Sequence, residues 1–189
     1  MSYPTSPAFN GINLQSDSPS LMSSAVNGRM QSRKIGGQKW AFTASYAPMT
    51  RAEFNPVFAF VVSQQGSNGI FTIVPTEISS TSGTASGTVS TSATAKGLAS
   101  VTVSGLTGAL KAGDVIKFSG HDKVYMLTAD RSGNGAMTFT PPLIEAVGTE
   151  TVTYDDVPFT VRLANDVQSY KLGAGMFFNY EVDLVEALS

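Results

Sequence analysis

The sequence predicts a mainly β chain with one helix, in which a small β-barrel or sandwich is inserted into a discontinuous outer domain. Three observations carry that expectation. Residues 39–74 read as strand, turn, helix, turn, strand and hold the densest aromatic content of the chain. Residues 98–157 show short apolar strands at regular spacing, separated by Gly-rich turns, the pattern of a small barrel or sandwich. The stretch from Phe178 to Leu184 alternates apolar and polar residues with period two, yet too few strands follow Pro158 to stand alone. That last strand must therefore pack on the strands and helix of the first half, which makes the middle module an insertion.

Residues 1–37 are rich in Ser, Asn, Gly and Pro, with scattered apolar side chains such as Ile12, Leu14, Leu21, Met22 and Met30. They are expected either as an arm that orders on docking to a neighbour or as an edge hairpin of the same domain. Both readings stay open at the level of sequence.

The outer domain is expected over residues 38–78 and 158–189. Trp40, Phe42 and Tyr46 favour one face of a strand that Pro48 stops, because proline cannot donate to a sheet ladder. Thr50 followed by Glu53 has the spacing of a capping box. Phe54, Phe58 and Val61 then give the new helix an apolar face. Pro56 should kink that helix or delay its regular start. Gly66 and Asn68-Gly69 turn the chain into the β-prone run around Phe71. Trp40, Tyr46, Phe54, Phe58, Val61, Phe71, Phe178 and Tyr180 are the expected packing residues of this domain. The tail from Gly175 to Glu186 reads as one long strand, with Glu181 and Asp183 on its hydrated face.

More than half of the residues between Ser79 and Ala95 are Ser or Thr. Residues 79–97 accordingly read as a flexible linker or a long hairpin tip. The inserted domain at 98–157 offers strands around Val101-x-Val103, at Val115-Ile116-Lys117-Phe118, at Val124 to Thr128 and at Ala136 to Thr140, with Val152-Thr153-Tyr154 closing the set.

Composition limits the function classes. Charged residues make up only 14% of the chain against 42% hydrophobic, and the net charge is −2. Soluble domains usually carry about 25% charged residues. The charge-poor surface is either covered by neighbouring subunits or kept soluble by hydroxyls and amides. No basic cluster marks a nucleic-acid footprint; Arg29, Arg33 and Lys34 come nearest and read as a solvated loop. The absence of cysteine excludes disulfides, Cys-based zinc sites and thiol catalysis. No apolar run approaches the length of a membrane span, and the N-terminus lacks the pattern of a signal peptide, so assembly in a cytoplasm is expected.

Candidate chemistry is sparse. His121, the single histidine, falls in a hairpin turn where a solvated side chain is expected. Asp114 with Asp122, and Asp155-Asp156, are turn carboxylates without the spacing of a calcium loop. The glycine patterns lack the Lys-Ser/Thr and the following helix of a phosphate loop. No enzymatic activity and no cofactor are expected.

The stretch from Lys39 to Pro75 resembles the opening domain of phage distal tail proteins. The residues that carry the likeness are Trp40, the turn Tyr46-Ala47-Pro48-Met49-Thr50-Arg51, the aromatic helix from Phe54 to Val62, the turn from Gly66 to Gly69 and the pair Phe71-Thr72. Lys111-Ala112-Gly113-Asp114-Val115-Ile116 and Phe139-Thr140-Pro141-Pro142-Leu143 resemble that family's inserted module, and the strand from Phe177 to Leu188 resembles its return to the first domain. The likeness spans about three quarters of the chain. It implies a split β-barrel or sandwich carrying an OB-like or galectin-like insertion, and a virion subunit that forms a hexameric ring between the tail tube and the tail tip or baseplate. Its implied partners are copies of itself, the tail tube protein, a baseplate hub or tail-tip protein, and the tape-measure protein. DNA would pass through the ring without sequence-specific contact, with Glu181 and Asp183 expected toward the lumen. Two alternatives remain at this level: another tail ring subunit (tube protein or baseplate hub), or a virion module that binds host saccharide through Tyr125.

Overall fold

The computed structural model describes residues 1–188, and the chain is mainly β. In chain order, β1 (Gly11–Asp17), β2 (Ser20–Ser24), β3 (Met30–Lys34) and β4 (Lys39–Ser45) precede the helix α1 (Arg51–Ser63). β5 (Phe71–Ile73), the short helix α2 (Thr76–Ser79), β6 (Val89–Thr91), β7 (Ser100–Ser104), β8 (Ala109–Leu110) and β9 (Val115–Phe118) follow. Then come β10 (Val124–Leu127), β11 (Arg131–Ser132), β12 (Gly135–Thr140), β13 (Thr151–Thr153) and β14 (Phe159–Leu163). β15 (Lys171–Leu172), β16 (Phe178–Asn179) and β17 (Glu181–Glu186) end the series. No helix among the described residues is long and apolar enough to cross a membrane.

The chain divides into two compact units, both discontinuous. The barrel unit comprises residues 1–3, 70–162 and Ala187 with Leu188; the helix unit comprises residues 4–69 and 163–186.

In the barrel unit six strands close in the order β10-β12-β7-β6-β13-β9, with antiparallel pairing throughout. Alternation along β7 and β12 sends Val101, Val103, Met137 and Phe139 inward. They meet Ile116, Phe118, Tyr125, Leu127 and Val152 in one buried core. Burial of that many large apolar side chains is the main force holding the barrel. Residues 79–97, expected as a Ser/Thr/Gly linker, carry β6, whose Val89 is fully buried in this core. A single bulky residue among hydroxyls gives no period to read, but barrel closure requires the strand. Gly105 and Gly108 turn the chain with φ of +81° and +79° and lie so close to the backbone oxygens of Thr88 and Thr84 that a Cβ would overlap them. Beside the barrel, β5 pairs with β14, Thr72 bonds Met1 and Tyr3 through its backbone, and Ala187 N–H donates to Thr160 O.

In the helix unit β4 lies between β1 and β17, antiparallel to both. Trp40, Phe42 and Ala44 of β4 and Val182, Leu184 and Glu186 of β17 are buried on one face. α1 begins at its Thr50 cap, where the Glu53 carboxylate accepts the Thr50 N–H and hydroxyl, both at 2.8 Å. Those bonds, backbone first, hold the Glu53 carboxyl below its ordinary pKa. The helix runs unbroken through Pro56, in place of the expected kink or late start. Pro56 lies on the exposed face, where water can satisfy the carbonyl its missing N–H leaves free.

The tail differs from the single long strand its alternation suggested. Gly175 and Met176 take φ of +76° and +64°, the chain turns, and β15 pairs with β16 before Tyr180 leads into β17. Glycines at 173 and 175 supply the turn. The N-terminal segment also resolves into two parts: β1 is a sheet strand of the helix unit, and β2 with β3 forms a separate hairpin. Arg33 and Lys34 lie on β3 and Arg29 in the loop that leads into it, and all three are exposed.

Candidate assembly surface

The helix unit gathers its aromatic rings at one end of α1. Phe54 stacks on Phe178 with centroids 4.6 Å apart and on Phe58 at 5.2 Å, while Tyr170 lies 4.9 Å from Phe54 and 5.2 Å from Phe58. Tyr180 bridges this cluster to Tyr46, 6.2 Å away. Helical spacing brings Phe54 and Phe58 to one face, and the β15–β16 turn brings Tyr170 and Phe178 against them. The result is an apolar groove of about 360 Å³, lined by Arg51, Phe54, Asn55, Phe58, Tyr170, Leu172, Met176 and Phe178. Offset and tilted ring pairs of this kind contribute about 0.5–1.5 kcal/mol each beyond their burial.

Of the residues singled out from the sequence, Trp40, Tyr46, Phe54, Val61 and Tyr180 are buried in the helix unit. Phe58 and Phe178 are half-buried, at the groove wall. Phe71 is buried in the barrel unit, stacked on Tyr3 at 5.7 Å. Glu181 is exposed. Asp183 is half-buried and accepts bonds from Thr43 Oγ1 at 2.9 Å and Asn165 Nδ2 at 3.3 Å. Sequence reasoning missed Glu186, which the same alternation puts on the buried face with Val182 and Leu184. Its Oε2 accepts the Trp40 N–H at 3.1 Å. Period two pointed there; the acidic residue type concealed it.

Potentially reactive groups of the barrel unit are built into its framework. His121 is 6% exposed, against the expectation of a solvated turn residue, because the turn folds its ring back over the core. Its Nδ1 is 3.5 Å from Tyr125 Oη, and its Nε2 is 3.9 Å from Glu150 Oε2. Tyr125 is fully buried and its hydroxyl accepts the Ile144 N–H, so its ring has no surface to offer a saccharide. Asp114 is a buried turn organiser. Its carboxylate accepts bonds from Ser82 N–H and Oγ, Thr81 Oγ1 and Lys111 N–H. Burial pushes its pKa up, but those bonds, led by Ser82, outweigh it and hold the carboxyl below its ordinary value. Asp122 accepts from Thr160 Oγ1, well apart in role from Asp114. Among the described residues no group of three His, Asp or Glu is arranged to hold a metal ion.

The hairpin of β2 and β3 is exposed along its whole length. Leu21, Met22 and Met30 are 60%, 68% and 72% exposed, and Val26 stands at its tip. Cross-strand register puts Leu21 on the opposite hairpin face from Met22 and Met30.

A mainly β chain with a closed barrel, a helix unit and exposed apolar patches has the character of a structural subunit, and comparison with known proteins agrees. Residues 63–155 match the family model described as the B domain of distal tail protein pb9, a span that takes in every strand of the barrel. Distal tail protein pb9 of Escherichia phage T5 is 24% identical over 163 residues, covering 83% of this chain and 80% of that protein. The resemblance to phage distal tail proteins is borne out, and this homology supports a structural role in a phage tail.

Proposed function

We propose that the protein assembles into a homo-hexameric ring that joins the phage tail tube to the tail tip or baseplate and leaves a passage for DNA. The observation that carries this reading is the likeness to a distal tail protein over 83% of the chain, a span too long to reflect a shared barrel alone. In this reading the outer domain, residues 38–78 with 158–189, forms the ring, and the barrel is its appended module. The tail tube protein, a hub or tail-tip protein and the tape-measure protein are its neighbours in the virion, and assembly takes place in the host cytoplasm. Glu181, exposed on β17, and Asp183 beside it face the lumen, where carboxylates repel the DNA phosphates and keep the passage from retaining them. The low charge content fits a surface much of which is covered by neighbours.

Light scattering and negative-stain microscopy of the purified protein test the proposal. A discrete six-fold ring with a central opening wide enough for DNA is the expected outcome. Open-ended tubes would instead identify a tube protein, since heterologous contacts that do not close give filaments. A monomer at every concentration would overturn self-assembly.

A further inference from the structure

Asn-Gly pairs occur at four places in the chain, 10–11, 27–28, 68–69 and 134–135. We propose that Asn27, at the tip of the β2–β3 hairpin, is a site of spontaneous deamidation that the fold singles out from the other three. The Gly28 backbone nitrogen attacks Cγ of Asn27 and gives up its proton to water. The new N–C bond closes a cyclic imide, and the Cγ–Nδ2 bond breaks to release ammonia. Water then opens the imide at either carbonyl and leaves an aspartyl or isoaspartyl residue at position 27. The reaction needs no oxidant, reductant or partner, and it does not depend on ring assembly.

Ring closure needs room around the glycine, and only position 28 has it. Beyond its chain neighbours, no described atom lies within 4 Å of where a Gly28 Cβ would stand. The corresponding point at Gly11 is 3.2 Å from Ser45 Oγ, at Gly69 2.6 Å from Gln64 Oε1 and at Gly135 2.7 Å from an Arg131 nitrogen. Gly11 and Gly135 are also held in β1 and β12, and Leu106 N–H fixes the Asn134 amide by donating to its Oδ1 at 3.2 Å. At Asn27 the side-chain bond helps instead. Arg29 N–H donates to Asn27 Oδ1 at 3.1 Å, which polarises the carbonyl and favours the charge that grows on that oxygen during attack. Gly28 N–H itself donates to Ala25 O at 2.9 Å and must be released first. Asn27 and Gly28 are exposed, as is the whole hairpin, so that release is a local opening of low cost. The product changes the tip in kind. No carboxylate occurs between Asp17 and Glu53, so deamidation puts the first acid among Arg29, Arg33 and Lys34.

The test is a time course of the full folded chain in mildly alkaline buffer, read by peptide mapping and mass spectrometry, with aspartyl and isoaspartyl products resolved by chromatography. Conversion at Asn27 should run at least about fivefold faster than at Asn10, Asn68 or Asn134, because the tip opens locally where the others are held. Equal rates at the four sites, or earlier conversion at any of the other three, overturn the proposal. Repeating the course in urea separates fold from local sequence: the lead of Asn27 should largely disappear, and a lead that persists overturns the role of the fold. Gly28→Ala adds a Cβ beside the attacking nitrogen and should slow conversion at Asn27 severalfold, leaving the other sites unchanged. An undiminished rate at Asn27 in that variant overturns attack by the Gly28 nitrogen.

Discussion

The backbone N–H of Trp40 donates to the carboxylate of Glu186, 3.1 Å away in space and 146 residues away in sequence. Glu186 is 2% exposed, so the bond ties β4 to the last strand inside the core of the helix unit. Glu186→Ala would leave a buried donor without this partner and should destabilise the protein by about 2 kcal/mol. Urea unfolding monitored by Trp40 fluorescence measures the change; a loss under about 0.5 kcal/mol would show that water replaces the carboxylate at no cost.

The barrel answers to its aromatic core. Phe139 packs edge-on against Tyr125 and Phe118, with centroids at 5.2 and 5.7 Å. Phe139→Ala should cost about 3–5 kcal/mol, the range for deleting a buried aromatic ring. Denaturant midpoints of the full chain report it, and near-UV dichroism separates a loosened barrel from a globally unfolded chain.

Close backbone approach at Gly108 gives an independent check on the β6–β8 region. Its φ is +79°, and a Cβ there would lie 2.1 Å from Thr84 O. Gly108→Ala combines left-handed strain with that overlap and should lose more than about 1 kcal/mol. Thermal melting that matches the parent protein would mean that residues 84–88 shift freely.

Acid sensitivity should centre on Asp114. Its pKa is lowered in the folded state relative to the ordinary value of about 3.9. A group with a depressed folded pKa contributes stability above its unfolded pKa and loses it as pH falls through the folded one. Barrel stability should therefore hold down to about pH 4 and decline below. Asp114→Asn should lower stability at neutral pH and flatten the acid decline, as read from urea midpoints across pH 2–7.

Glu181→Lys tests the proposed lumen. The side chain is exposed, so the variant should fold with less than about 0.5 kcal/mol of change. Virions carrying it should assemble yet eject DNA more slowly, because a ring of ammonium groups attracts phosphate. Ejection at the parental rate would remove Glu181 from the passage.

Legibility followed the strength of local signals. Thr50 and Glu53 announced the start of α1, and Trp40, Phe42, Val182 and Leu184 announced the buried faces of β4 and β17 by period alone. β6 stayed hidden because Val89 is the one bulky residue in a hydroxyl-rich run, and its place is fixed by pairing with strands elsewhere in the chain. His121 and Asp114 looked like ordinary turn residues; only tertiary contacts with Tyr125, Thr81 and Ser82 bury them. The groove was unreadable for a related reason. Phe54 and Phe58 were visible as a helix face, but Tyr170 and Phe178 reach them through a turn at Gly175 that interrupts what reads as one strand.

Closure leaves none of the six barrel strands with a free edge, while the short β8–β11 pair in the same unit stays open. An open sheet repeated many times at close quarters would invite its copies to zipper together, backbone to backbone. Copies of this chain brought close together have no such edge to share along those six strands.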